Sequence, residues 1–546
     1  MLLRGAPYPK PLRRLPLPLL LSSSSSSSSS AAAAPPPHPA ELWIAKALAT
    51  AFVLSPSARL GPFGPLLLTP LAASEALRRL PTADSALALF ELARSALGVA
   101  HSPDAYRFLV GLLCRSGLHG DALKVFDEMA SHGHSPDASF LAFVANSCAE
   151  AGLLDPCIRL LNRASEFNSR LEPYTVNKVM SLLIARNRIQ DAVFLFSEQL
   201  NSQLFMPDAW SFNIVIKGLC RIGDIKGAFE LFEKMSSFRC SPDTVTHNIL
   251  VDGLCRAEQV DRGHEMLQRI RMDGTCMPNV VTYTSVISGY CKMGRMEEAF
   301  RVFNDMIGLG IKPSRVTYNV LIDGYGKAGD MPSAASVYER MALCGCPPDV
   351  VTITSLIDGH CRNGQLDDAL KLWNEMGQRE LRPNIYTFAT MINFLCKKNR
   401  LGEAQVLLKE LNERTDIIPR AFVYNPIIDG LCKVGNVDEA NSIMLEMERK
   451  KCFPDKYTYT ILIIGHCMKG RISEAIAIFE KMVATGCAHD GVTISCLVTC
   501  LLKAGMPNKV ESIMLIASGS SPRLDTSSVQ DSPLSVRKSA DISVAV

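Results

Sequence analysis

No stretch of the 546 residues holds the roughly 18–20 uninterrupted apolar residues of a membrane-spanning helix. A Gly-rich phosphate loop is missing, as are an H-E-x-x-H helix and the H-x-E with P-C-x-x-C pair of zinc deaminases. Those absences leave no recognisable catalytic or metal signature, so the expectation is a protein that works by binding and needs no cofactor. Net charge is also scarce, at +3. Acid is absent from the N-terminus, where the first carboxylate is Glu41. Before it come Arg4, Lys10, Arg13 and Arg14, the serine run Ser22 to Ser30, then alanines and prolines. An Arg- and Ser-rich, acid-free start reads as an organellar transit peptide, placed at residues 1–45 and expected to be disordered. The secretory alternative has only Leu15 to Leu21 as its apolar run, broken by Pro16 and Pro18. Without residues 1–40 the formal charge falls to about −1. A bulk polycation is thereby excluded, and any nucleic-acid binding must gather its cations on one face.

What the chain has is a repeat of about 35 residues. Val280 to Ser314 reads VVTYTSVISGYCKMGRMEEAFRVFNDMIGLGIKPS, and the blocks opening at Arg315 and Val350 repeat its pattern. A fixed period of this length means stacked supersecondary units whose core lies between neighbours. Positions are counted here from the residue after the closing Pro-Asp. Phe212, Val215, Ile216 and Leu219 recur at i, i+3, i+4, i+7, as do Tyr424, Ile427, Ile428 and Leu431. That spacing is one face of an amphipathic helix, expected to start near position 4. Gly at position 15 (Gly223, Gly294, Gly435) ends it. A second helix follows, with alanine at position 20 (Ala228, Ala299, Ala334, Ala369, Ala404, Ala440, Ala475) for close approach to its neighbours. Each unit is an αα-hairpin. Of 18 cysteines, eight share position 12 (Cys114, Cys220, Cys255, Cys291, Cys361, Cys396, Cys432, Cys467), and they read as buried free thiols rather than disulfides.

This pattern resembles the pentatricopeptide repeat (PPR) family, P-class. The resemblance rests on the 35-residue period, the VTYN/VTYT opening, GLCK/GYCK before the first glycine, A-x-x-L/V-F in the second helix, and the closing PD. The W-x2-L-G-x2-Y pattern of tetratricopeptide arrays is absent. The resemblance implies an all-α, right-handed superhelical solenoid of about 11–12 repeats. Eleven repeats are expected over 103–490, a partial one or cap at 491–517, N-terminal helices with a degenerate leading repeat at 46–102, and a disordered tail at 518–546.

Four further positions recur in pattern once the apolar face is set aside. Position 5 holds Asn177, Asn213, Asn248, Thr284, Asn319, Thr354, Asn425 and Thr460. The last position of the same repeats holds Asp208, Asp243, Asn279, Ser314, Asp349, Asn384, Asp455 and Asp490. Helix capping explains polarity at such sites. Alternation of amide with hydroxyl, and of carboxylate with amide, fits a variable donor–acceptor pair that reads a base edge. Position 2 holds Tyr174, Trp210, Val245, Val281, Val316, Val351, Tyr386, Phe422 and Tyr457, which serve either base stacking or packing between repeats. Position 13 is basic at Arg221, Arg256, Lys292, Lys327, Arg362, Lys397 and Lys433. There it either tracks a phosphate backbone or completes a helix C-terminus.

PPR repeats each read one RNA base with two or three side chains. The resemblance therefore implies single-stranded organellar RNA as the partner, with a core U-U-Y-N-U-A-N-U-G over repeats 173 to 490. Ala389 with Arg420 departs from the pattern, as do Ala142 with Glu172 and Arg107 with Asp137. Expected besides are a monomer, RNA-processing or splicing proteins as further partners, no membrane, and a mitochondrial location with the chloroplast as the alternative. A protein-binding scaffold using the same groove is the competing reading.

Overall fold

The computed structural model describes residues 38–54, 69–95, 99–202, 204–274 and 276–517. Among the described residues there are 27 helices and no strand, an all-α helical-repeat architecture. None of these helices is long and apolar enough to cross a membrane. Residues 1–37 of the expected transit peptide and the whole 518–546 tail lie outside the described residues. Residues 39–45, expected to be disordered, instead open the helix Pro39–Leu54, whose Ala45, Leu48, Ala49 and Phe52 are buried.

The chain divides into two compact units, Met1–Thr175 and Val176–Val546. In the first, Pro70–Arg78 and Ala83–Ser95 precede the hairpins Pro103–Arg115 with His119–Ser131 and Ala138–Glu150 with Leu154–Asn162. The His101 ring stacks on Phe90 at 3.8 Å, and Tyr106 meets Phe90 edge-on at 5.0 Å. The Tyr106 hydroxyl donates to Glu128 Oε1 at 3.2 Å, and Arg94 pairs with the same carboxylate. Burial, with Glu128 beside it, pushes the Tyr106 phenol up to about 12.

In the second unit each first helix packs on the first helix of the next repeat and on its own second helix. The first helices begin at position 1, three residues earlier than the apolar spacing indicates: Ala209–Ile222, Thr244–Arg256, Val280–Lys292, Arg315–Ala328, Val350–Arg362 and onward. Apolar periodicity marks only where a helix meets the core. The opening turn adds only a half-buried position-1 side chain and the polar position-3 hydroxyl to the core, so its start is set by the cap. The last residue of each repeat is that cap. It is extended, and in most repeats its side chain accepts the N–H of position 3. Phe212, Val215, Ile216 and Leu219 are buried as the spacing requires, and so are Tyr424, Ile427, Ile428 and Leu431. Each such side chain contributes about 1.5–3 kcal/mol when fully buried. All seven position-20 alanines are wholly inaccessible.

A close contact registers one first helix on the next. A Cβ built on Gly253, at position 10, would lie 2.4 Å from Cys220 Sγ, the position-12 thiol of the preceding repeat. On Gly465 the same atom would lie 2.5 Å from Cys432 Sγ. Glycine stands at position 10 because the thiol of the previous repeat fills the space a side chain would take. The cysteines form no disulfides. Burial pushes the Cys220, Cys255, Cys291, Cys361, Cys396 and Cys432 thiols up to about 12, so they stay protonated and act as small apolar side chains.

Candidate nucleic-acid interface

The cap geometry joins the two polar positions directly. Asp349 Oδ1 accepts from Thr352 N at 2.9 Å and from the Thr352 hydroxyl at 2.9 Å, and the Thr352 hydroxyl oxygen accepts from Asp349 N at 3.1 Å, closing a capping box. The same oxygen accepts from Nδ2 of Asn319, position 5 of the preceding repeat, at 3.4 Å. Asn177 to Asp208 at 3.2 Å, Asn213 to Asp243 at 3.4 Å, Asn248 to Asn279 at 3.4 Å and Asn425 to Asp455 at 3.2 Å repeat this bond. Position 5 and the last position of one repeat are thus a bonded pair across the junction with the next. Capping and pairing are both present, so one role does not displace the other.

Threonine at position 5 is bonded differently. The Thr354 hydroxyl lies 2.6 Å from the Val350 carbonyl one turn back and 2.8 Å from the Thr387 hydroxyl of the next repeat. Thr284 and Thr460 do the same with Thr317 and Thr493. Asn therefore keeps a second amide proton beside a carboxylate or amide, half-buried at Asn248, Asn319 and Asn425 and buried at Asn177 and Asn213. Thr offers a hydroxyl oxygen whose proton is already committed. These are two distinct donor–acceptor faces at one place in the repeat.

A third residue type joins the pair that the sequence reading passed over. Thr246, Thr282, Thr317, Thr352, Thr387, Thr458 and Thr493 at position 3 are fully buried or nearly so, and Ser211 takes the same role. The Thr352 hydroxyl has one proton and two acceptors, Asn319 Oδ1 at 2.7 Å and Asp349 Oδ1 at 2.9 Å. The signal was legible as a Ser or Thr three residues after each first-helix Asp, Asn or Ser cap from Asp208 on, though not after Asp137, where Phe140 stands.

Desolvation raises the Asp208, Asp243 and Asp349 carboxyls, but the bonds from position 3 and position 5 outweigh it and hold all three below the ordinary carboxylate range. At Asp490 the Thr493 N–H and hydroxyl lower it directly. These caps are anionic at neutral pH. The Asn319 and Thr352 bonds all fall on Oδ1 of Asp349, and Oδ2 faces the Arg315 guanidinium at 3.5 Å.

Position 2 is exposed in every repeat, from 38% at Phe422 to 68% at Tyr174. Packing between repeats covers these side chains only in part. Tyr386 and Phe422 alone stack on each other, at 5.8 Å and 14°. They flank the repeat with Ala389 at position 5, whose following cap Arg420 makes no side-chain cap bond. Open pockets between neighbouring first helices collect the assigned positions. One of about 410 Å³ is bounded by Val245 and Val281, with Asn248 and Arg256; another of about 290 Å³ lies between Val281 and Val316, with Thr284 and Ser314.

The basic ribbon is less basic than expected. Arg256, Lys327, Arg362 and Lys433 pair with Asp252, Asp323, Asp358 and Asp429 at 2.8, 2.6, 2.6 and 2.6 Å. These partners stand at position 9, one turn earlier on the same helix. Arg221 donates to the Ile184 carbonyl at 3.3 Å. At Lys292 and Lys397 position 9 is Ser288 and Asn393, so no carboxylate stands one turn back. Outside the pattern, Arg107 pairs with Asp137 at 3.1 Å, placing an ion pair where other repeats have an amide and a cap.

The PPR repeat family model matches residues 207–256, 278–327, 313–362, 348–397 and 419–468, and the PPR repeat model matches 104–134, 245–275, 386–415 and 457–487. Together these segments cover more than half of the chain. It belongs to the pentatricopeptide repeat family. Similar relatives include the pentatricopeptide repeat-containing protein At2g06000 of Arabidopsis thaliana, 45% identical over 34% of this chain and 34% of that protein. A second Arabidopsis PPR protein, named as chloroplastic, is 24% identical over 28% of this chain and 30% of its own length. The chain thus spans about a third of the length of these curated relatives. Among solved structures, maize PPR10 is similar at 20% identity and a TM-score of 0.39, over 87% of this chain and 76% of that one. PPR10 in complex with an 18-nt psaJ RNA element is similar at 18% identity and a TM-score of 0.34, over 87% of each.

Proposed function

We propose that this PPR protein binds single-stranded RNA in a sequence-specific way, one nucleotide per repeat, along the first-helix face of the second unit. The observation that carries this reading is the bonded pair at each junction: an amide or hydroxyl beside a carboxylate, amide or serine, flanked by exposed position-2 side chains. A base set between two such side chains stacks, gaining about 1–3 kcal/mol where the contact is aromatic. Its edge then meets the polar pair. Asn with Asp corresponds to uridine, Asn with Asn to a pyrimidine, Thr with Asn to adenosine and Thr with Asp to guanosine, as the family resemblance implies. The order is U-U-Y-N-U-A-N-U-G. The second N falls where Ala389 and Arg420 offer no such pair and Tyr386 and Phe422 close on each other.

Action is by occupancy. A bound segment blocks a nuclease, holds a transcript open for translation or presents it for splicing, without chemistry on the RNA by this chain. The acid-free N-terminus supports an organelle, the mitochondrion before the chloroplast. The four aspartate–cation pairs also suit a groove for protein, which is the second reading. A randomised single-stranded RNA pool bound to the full chain at physiological salt decides between them. Enrichment of the stated order supports the proposal, together with a change at one base when Asn319 becomes Thr. Failure to retain any RNA transfers the groove to a protein partner.

A further inference from the structure

The last junction departs from the glycine contact that registers most of the others, and it does so with a thiol where the junction after Cys361 has Phe394. Position 12 of the repeat opening at Lys456 is Cys467, as elsewhere, but position 10 of the helix Gly491–Lys503 is Cys500 where its neighbours have glycine. Cys496 stands one turn earlier on the same helix. The three sulfur atoms lie within 4.8 Å of one another, with Cys467 buried and the other two half-buried. At the junctions of Cys220, Cys255, Cys291 and Cys432 the position-12 thiol meets a glycine, as Cys432 does at Gly465.

We propose that Cys467, Cys496 and Cys500 form a three-thiolate site for a soft, thiophilic d10 cation, monovalent copper being the ion its coordination number fits. Thiolates select such ions over hard ones, which prefer oxygen donors. Among the described residues no fourth His, Cys, Asp or Glu joins the group. Zinc ordinarily takes four donors; a trigonal set suits copper in its lower oxidation state. Three metal–sulfur bonds of about 2.3 Å in one plane set the sulfurs about 4 Å apart, so closure moves them by less than about 1 Å. Binding breaks three S–H bonds, forms three S–metal bonds and releases three protons to solvent, with no change of oxidation state. Burial and the neighbouring thiols push the Cys467 and Cys496 thiols up, so the cation displaces protons to enter. Cys496 and Cys500, one turn apart on one helix, are set to chelate from one side while Cys467 closes the other. The ion would fasten the terminal hairpin to the array at its last junction, where the glycine contact is missing.

The test is an anaerobic titration of the reduced full chain with Cu(I) against a competing chelator. It is run beside Cys500→Gly, which restores the glycine of the other repeats, and Cys467→Ser. The wild type is expected to hold one Cu(I) that both variants release. Loss of outer partners alone weakens metal sites by about 10–100-fold, so loss of a ligand should cost at least about 100-fold. X-ray absorption of that copper should show three sulfur neighbours near about 2.3 Å. Equal stoichiometry and affinity in Cys500→Gly would overturn the site. So would a Cys467–Cys500 disulfide found by peptide mapping of protein alkylated at lysis, or a preference for Zn(II) with four donors.

Discussion

Asp349 separates the structural and the reading roles of one side chain. Its Oδ1 holds Thr352 N at 2.9 Å, the Thr352 hydroxyl at 2.9 Å and Asn319 Nδ2 at 3.4 Å. Asp349→Ala removes the cap, a loss of about 1 kcal/mol in typical helices. It also leaves the half-buried Asn319 amide without its acceptor, and a bond this long adds the low end of the usual range, about 0.5 kcal/mol. The Thr352 hydroxyl does not add to the loss, because Asn319 Oδ1 at 2.7 Å takes its single proton. The expected destabilisation is about 1.5 kcal/mol. Asp349→Asn keeps an oxygen on Thr352 N, as Asn279 and Asn384 show at their own junctions. Asn is as good a cap as Asp, so its stability cost stays below about 0.5 kcal/mol. It replaces the outer carboxylate oxygen with an N–H donor, which should relax uridine preference toward cytidine at one nucleotide. Urea unfolding gives the first pair of numbers, and competition among RNAs differing at that single base gives the second. The reasoning fails if Asp349→Asn destabilises as much as Asp349→Ala, or if it weakens every RNA equally.

Gly253→Ala places a methyl 2.4 Å from Cys220 Sγ and 2.8 Å from its Cβ and should cost about 1–3 kcal/mol in chemical unfolding, relieved in part by adding Cys220→Ala, which removes the nearer atom. Gly377→Ala, where nothing lies within 4 Å, should instead stabilise by up to about 1 kcal/mol. Asp323→Asn frees Lys327 from its 2.6 Å ion pair; RNA affinity at low salt should rise, and the salt slope should steepen by about 0.7, the value for one more phosphate contact on a single strand. Acid should weaken the array through its caps. The Asp243 and Asp349 carboxyls are depressed in the fold, so their contribution is present above the unfolded value of about 3.9 and is lost as pH falls through the folded one. Urea midpoints taken from neutral pH downward should drop below about pH 4, and the Asp243→Asn, Asp349→Asn double variant should flatten that drop.

The repeat alone determined the helical hairpin, its period, the buried faces and the choice of positions 2, 5, 13 and last. Each depends on which residues recur, and recurrence is written in the chain. The position-9 aspartates were equally legible at i, i+4 from Arg256, Lys327, Arg362 and Lys433, yet reading the cations alone concealed that four of them are paired. The helix start was not legible from apolar spacing, because the buried residue of the first turn is a polar Thr or Ser and the start is fixed by the cap. Tertiary structure decided the rest. Only stacking places position 5 against the cap of the following helix, about 30 residues away, through a shared position-3 hydroxyl. It also sets the position-2 row in solvent, where pattern left packing and exposure equally open. And it brings Cys467 onto Cys496 and Cys500, because a thiol stands at position 10 where most junctions of the array have glycine.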